Sequence, residues 1–195
     1  MFRYLTNRAW SVGYRCFQSC RWKNLCVPLL YRSENDEDGS DGDSNADPLG
    51  NRLYRYEYVD GKLINPLLLL DLTATPLNER AEHNGGKVLI GPDKNVYVLV
   101  GEVGAHRTQA QNTEDGPPPN GLGGVLRITQ DGQPVPSNPI FGDELPLNLY
   151  YAMDIRNSFG MDFDPLTGTL WDTENGQTGG AEQSITLFSE IVKRG

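Results

Sequence analysis

No stretch of this chain approaches the roughly eighteen consecutive apolar residues that a membrane-spanning helix requires, so no membrane span is expected. Cysteine is scarce. Cys16, Cys20 and Cys26 are the three present. Their spacings of four and six match no zinc pattern, and an odd number cannot all pair within one chain, which leaves the redox compartment open. Basic residues are in deficit, with 17 Lys and Arg against 26 Asp and Glu and a net charge of -9. That balance excludes nucleic acid as a partner, because a phosphate backbone needs a clustered Lys/Arg surface. Histidine occurs only at His83 and His106.

Glycine and proline, by contrast, are plentiful at 22 and 13, which suits many short strands and turns better than helices. A length of 195 residues supports one domain with its own core. Charge then divides the chain. Residues 1–32 carry Arg3, Arg8, Arg15, Arg21, Lys23 and Arg32 without an acid, and read as a basic, cysteine-containing leader foreign to the domain, from a mis-started or frame-shifted reading frame. An Arg-rich start also characterises transit peptides, but no clear helical period supports one, and Leu25 to Leu30 is too short an apolar run for a secretory signal. Residues 33–48, SENDEDGSDGDSNADP, form an acidic loop or linker. A calcium loop starting at Asp36 fails where it needs a ligand and a glycine and finds Ser40 and Asp41; one starting at Asp41 finds Ala46 in place of the glycine.

From Gly50 onward the signals are those of antiparallel sheet. Leu53 to Val59 alternates and runs through Asp60-Gly61 into Lys62-Leu63-Ile64, a two-residue hairpin signal. Gly124 to Thr129 runs into Asp131-Gly132 in the same way, 71 residues later. Between them, Lys87 to Ile90 and Val96 to Val100 flank the turn Gly91 to Asn95; about 73 residues on, Gly160 to Phe163 and Thr169 to Asp172 flank Asp164 to Gly168. Two different hairpins recurring in one order at nearly one offset mark a repeat architecture. A β-propeller of antiparallel four-stranded blades fits best, with insertion at Gln111 to Gly123 accounting for the long period; a β-sandwich is the alternative. The chain is too short for a full ring of such blades, so the expected array stops open.

The ordered series His83-Asn84-Gly85-Gly86 to Asp93, Gly123 to Ile128 with Asp131-Gly132, Arg156-Asn157, Phe163 to Trp171, and Glu174-Asn175-Gly176 resembles the soluble pyrroloquinoline quinone (PQQ) dependent glucose/sorbosone dehydrogenases, most of all their aldose sugar dehydrogenase branch. The resemblance runs over about residues 49–188 and implies a six-bladed β-propeller, here partial, occupying residues 49–195. It also implies oxidation of an aldose at its anomeric hydroxyl, with PQQ and Ca2+ as cofactors and a separate electron acceptor as partner. His83 then stands as the general base that takes the hydroxyl proton while a hydride passes to the quinone, a task suited to neutral imidazole. Glu102 falls where the family usually has an Asp that orients this histidine. Glu82 matches an acid that touches sugar hydroxyls, Arg156 and Asn157 match a pair that contacts the cofactor, and Gly176 and Gln177 match a Gly-Pro pair whose carbonyls bind calcium.

Each residue also has a plainer reading. A histidine beside Gly-Gly is ordinarily a turn residue, Arg156 a surface or ion-pair arginine, Asn157 a turn former, and Trp171 with the tyrosines of 54–58 core or sheet-face residues. His106 and Arg107 carry no assigned role. After Gly176 the chain departs from the family's proline and acidic neighbour, keeping Glu182, and the basic residues that later blades supply to the cofactor do not follow. The resulting expectation is a fragment inactive alone. Its alternative is a non-catalytic propeller remnant acting as a binding module, and a third, a calcium-dependent propeller hydrolase or lactonase, lacks its acidic axial cluster. The particular sugar and the oligomeric state are left open, as is the compartment, which in relatives is commonly periplasmic or extracellular.

Overall fold

The computed structural model describes residues 25–26, 29–33, 48–73, 83–102, 120–138, 142–175 and 183–187. Among these, eleven strands form three antiparallel sheets. The first comprises β1 (Leu25–Cys26), β2 (Leu29–Ser33), β3 (Pro48–Val59) and β4 (Lys62–Thr73), all three others bonding to β3. The second is a meander of β5 (Gly85–Ile90), β6 (Val96–Val100), β7 (Gly124–Ile128) and β8 (Tyr150–Met153). The third holds β9 (Ser158–Phe163), β10 (Leu170–Asn175) and β11 (Gln183–Leu187), again in chain order.

Local chemistry explains three of the turns. Asp60 and Gly61, at φ 49° and 80°, supply the left-handed pair of a two-residue hairpin between β3 and β4. Between β5 and β6, Gly91 and Asn95 close the loop with a 2.9 Å backbone bond, and Asp93 accepts the Asn95 N–H at 3.1 Å. Between β9 and β10, Asp164 accepts the Leu166 N–H at 2.8 Å, and Gly168 takes the left-handed φ of 72°.

The fourth expected hairpin, at Asp131-Gly132, closes as a turn but does not return a strand. Thr129 and Gln133 are bonded across it at 2.8 Å, and Ile128 meets Pro134 in a single bridge. Proline at 134 has no N–H to offer, so a ladder cannot extend there. The chain instead passes through a short 3-10 turn, Leu147–Leu149, and β8 takes the place beside β7.

The sheets stack in series around two cores. Strand β6 is buried along its whole length and divides its side chains by the two-residue period of a strand. Val96, Val98 and Val100 pack with Leu53, Leu70, Leu72 and Leu126 between the first and second sheets. Tyr97 and Leu99 pack with Val125, Ile155, Met161 and Leu170 between the second and third. A sandwich needs two sheets with one shared core, so the doubly covered middle sheet does not fit that alternative. The second interface is pinned at its rim by Tyr97, whose ring meets those of Tyr151 and Phe163 edge-on at 5.0 Å each, with the Arg127 guanidinium 5.8 Å from the Tyr97 and Tyr151 rings. Strands β5 and β9, first in their sheets, lie beside each other. The residues that lead into both therefore arrive at the same edge of the array.

Candidate functional site

His83 and Asn84 lead into β5, Gly101 and Glu102 follow β6, and Ile155 to Asn157 lead into β9. Backbone bonds weld these segments. Gly101 N–H donates to Asn84 O at 3.3 Å, Glu102 N–H to Arg156 O at 3.0 Å, Gly123 N–H to Gly101 O at 3.0 Å, and Ile155 N–H to Gly123 O at 3.0 Å. The crossing is close enough to demand glycine: a Cβ on Gly101 would run into the carbonyl of His83 and stand 3.1 Å from that of Arg156. His83 itself is left-handed, at φ 61°. A non-glycine residue held there is uncommon and turns the chain sharply into β5.

The side chains follow from this backbone. Nδ1 of His83 is hydrogen-bonded to Oε1 of Glu102, whose side chain is fully buried while that of His83 keeps 11% exposure. A carboxylate against Nδ1 holds the ring proton on that nitrogen and leaves the Nε2 lone pair available as a proton acceptor. Arg156 and Asn157 are both buried, at 5% and 7% exposure. A guanidinium and an amide are donors that suit an anionic, carboxylate-bearing ligand, and the backbone bonds bring the segment that carries them against the one that carries Glu102. Tyr150 completes the support: its hydroxyl accepts the Gly121 N–H and donates to Leu122 O, both at 2.7 Å, fixing the loop that presents Gly123.

The structure thus brings together His83, Glu102, Arg156 and Asn157. Glu82, Gly176 and Gln177 lie outside the described residues, as do His106, Arg107 and residues 34–47 of the acidic segment. Among the described residues no three His, Cys, Asp or Glu side chains converge as metal ligands, and no helix is long and apolar enough to cross a membrane.

Two polar features escaped the sequence reading. Asn51, 1% exposed on β3, donates its amide to Asn84 O at 3.3 Å and so reaches the segment that carries His83. Ser158 and Asp172, both fully buried, are hydrogen-bonded to each other, and Ser158 directly follows Arg156-Asn157 in the chain. The adjacency of Ser158 to Arg156-Asn157 was the only available signal for the second.

Several known proteins are similar to this chain. Quinoprotein glucose dehydrogenase B of Acinetobacter calcoaceticus is 31% identical over 157 residues, which cover 74% of this chain and 30% of that protein. An uncharacterized protein of Synechocystis sp. is 30% identical over 113 residues, 53% of this chain and 26% of its own length. Among solved structures, the soluble aldose sugar dehydrogenase of Escherichia coli, in its apo-form, superposes with a TM-score of 0.62 at 20% identity, over 85% of this chain and 42% of that one. A Thermus thermophilus protein described as an oxidoreductase (glucose dehydrogenase) gives 0.58 at 24% identity, over 83% and 43%. The chain therefore spans less than half the length of these relatives, and the likeness carries an antiparallel all-β, propeller-like fold. Residues 44–187, which contain every segment of the site, match the Glucose / Sorbosone dehydrogenase family, and the chain belongs to it.

Proposed function

We propose that this chain carries the base and cofactor-contact segments of a PQQ- and calcium-dependent dehydrogenase that oxidises an aldose at its anomeric hydroxyl. The observation that carries the reading is the His83–Glu102 pair, a buried carboxylate on Nδ1 of a partly exposed imidazole, joined through one backbone bond to Arg156. Nε2 of His83 takes the hydroxyl proton, and Glu102 stabilises the imidazolium that forms. PQQ, when bound, supplies the quinone that accepts the hydride. Arg156 and Asn157 hold its carboxylates by charge-assisted and amide hydrogen bonds, which suits their burial and the backbone bond that ties Arg156 to Glu102. Glu82 is assigned to sugar hydroxyls, and the backbone carbonyls of Gly176 and Gln177 to calcium, a hard cation that accepts carbonyl oxygen readily. Sugar and an electron acceptor are the partners.

The unit carrying these roles is taken as residues 49–195, part of a six-bladed propeller in which β5 and β9 are innermost strands of neighbouring blades. The family match over residues 44–187 and the meandering middle sheet support that arrangement.

Reconstitution with PQQ and Ca2+, titration of bound cofactor and a dye-linked assay on aldoses, run beside His83→Ala, test the reading. Cofactor binding with turnover that His83→Ala abolishes is the expected result for the assembled enzyme. A folded chain that binds no PQQ overturns it in favour of a non-catalytic binding module.

A further inference from the structure

We propose that Ser158 and Asp172 form a positioning pair that holds a β-bulge at the start of β9 and thereby aims Arg156 and Asn157. The inference rests on the cofactor reading given above but is read from features that reading does not use. Strands β9 and β10 pair regularly from Leu170↔Phe163 to Thr173↔Gly160, after which Glu174 pairs with Ser158 and Phe159 is skipped. An extra residue on one strand bends it and rotates what precedes it, which is why bulges so often stand beside active sites. Here the residues immediately preceding are Arg156 and Asn157.

The bulge is held by two polar side chains withdrawn from water. Ser158 and Asp172 are fully buried. The Ser158 hydroxyl is hydrogen-bonded to Asp172 Oδ1, and the carbonyls of Thr173 at 3.0 Å and Gly160 at 3.3 Å lie within its reach. A Cβ on Gly160 would stand 2.5 Å from Thr173 Oγ1, so a side chain there would oblige the threonine hydroxyl to move. A carboxylate withdrawn from water requires hydrogen-bond partners, and Ser158 supplies one in a single geometry. The bond therefore fixes the Ser158 backbone, and with it the exit direction of the two residues before it. Neither Ser158 nor Asp172 is assigned a contact with the cofactor; they act through Arg156 and Asn157.

The test uses the 195-residue chain with Ser158→Ala, Asp172→Asn and Asp172→Ala, and Val96→Ala as a core-destabilised control remote from the bulge. Two quantities are read: PQQ affinity in the presence of Ca2+, and, without cofactor, the NMR resonances of the Arg156 Nε–H and the Asn157 side-chain amide. Folded Ser158 and Asp172 variants are expected to bind PQQ about 10- to 100-fold more weakly, by analogy with the loss seen when hydrogen-bond partners of metal ligands are removed. The Arg156 and Asn157 resonances should shift in them, while Val96→Ala leaves both readouts in place. Affinity within about twofold of the original chain with unmoved resonances overturns the proposal. If the original chain binds no PQQ, the cofactor reading falls, and the resonances alone decide: a shift confined to Arg156 and Asn157 supports the pair, and no shift overturns it. If Asp172→Ala does not fold, Ser158→Ala and Asp172→Asn decide between the same two outcomes.

Discussion

The backbone N–H of Glu102 donates to the carbonyl oxygen of Arg156 at 3.0 Å, so the residue that holds the imidazole also holds the loop that carries the guanidinium. One residue ties both halves of the site. Removing its carboxylate should leave the backbone bond in place and separate chemistry from architecture. In Glu102→Gln the amide can donate to Nδ1, which drives the ring proton to Nε2 and removes the lone pair that the proposed base requires. Turnover of the reconstituted enzyme is expected to fall by about 10²- to 10⁴-fold with little change in urea midpoint. Activity close to that of the same assembled enzyme with Glu102 intact would rule out a carboxylate-oriented base.

Gly101→Ala should do the opposite, disturbing architecture first. The added methyl meets the His83 carbonyl and crowds that of Arg156, and backbone atoms cannot swing aside as a flexible side chain could. A loss of about 1–3 kcal/mol or more is expected in urea denaturation. An unchanged midpoint would show that the two segments are free to move apart.

Tyr150→Phe removes a hydroxyl that serves a buried N–H and a buried carbonyl at once. Losing both bonds is expected to cost about 1–3 kcal/mol, measured by chemical denaturation. Amide exchange should report the loss at Gly121. Protection equal to that of the original chain would place the support of this loop elsewhere.

Acid should loosen the rim of the second core. Burial alone raises the Asp93 carboxyl, but its bonds to Asn95 and Arg127 outweigh that and hold it below the ordinary 3.8. A carboxyl lowered by folding contributes stability above its unfolded value and loses it as pH falls through the folded one. The stability gap between the original chain and Arg127→Met is therefore expected to be widest above about pH 5 and to narrow toward about pH 3. Urea midpoints across that range measure it, and a constant gap would exclude Asp93 as the titrating partner.

Much of the sheet array was legible because its signals are local. Alternation in β3, the apolar run of β6 and left-handed residues at Asp60-Gly61 and Gly168 act within a few positions of themselves. The failed return after Asp131-Gly132 was also written locally, in Pro134, but the stronger hairpin signal masked it. The site was legible only through the motif order. His83 and Glu102 are 19 residues apart, and no periodicity places one against the other. Ser158 and Asp172, 14 apart, meet only because β9 and β10 pair with a skipped residue, a register detail that side-chain types do not encode. Asn51, on β3, reaches Asn84 33 residues away, a contact that no local signal marks.

The left-handed backbone at position 83 has a further consequence for how such a chain changes over generations. At φ 61° β-branched and bulky residues are penalised, whereas asparagine, aspartate and glycine are accommodated. The substitutions that the backbone tolerates best are thus ones that abolish proton acceptance by imidazole while leaving the turn intact. The imidazole can therefore be lost at this position without loss of the turn, and a frame without a proton acceptor there is a single replacement away.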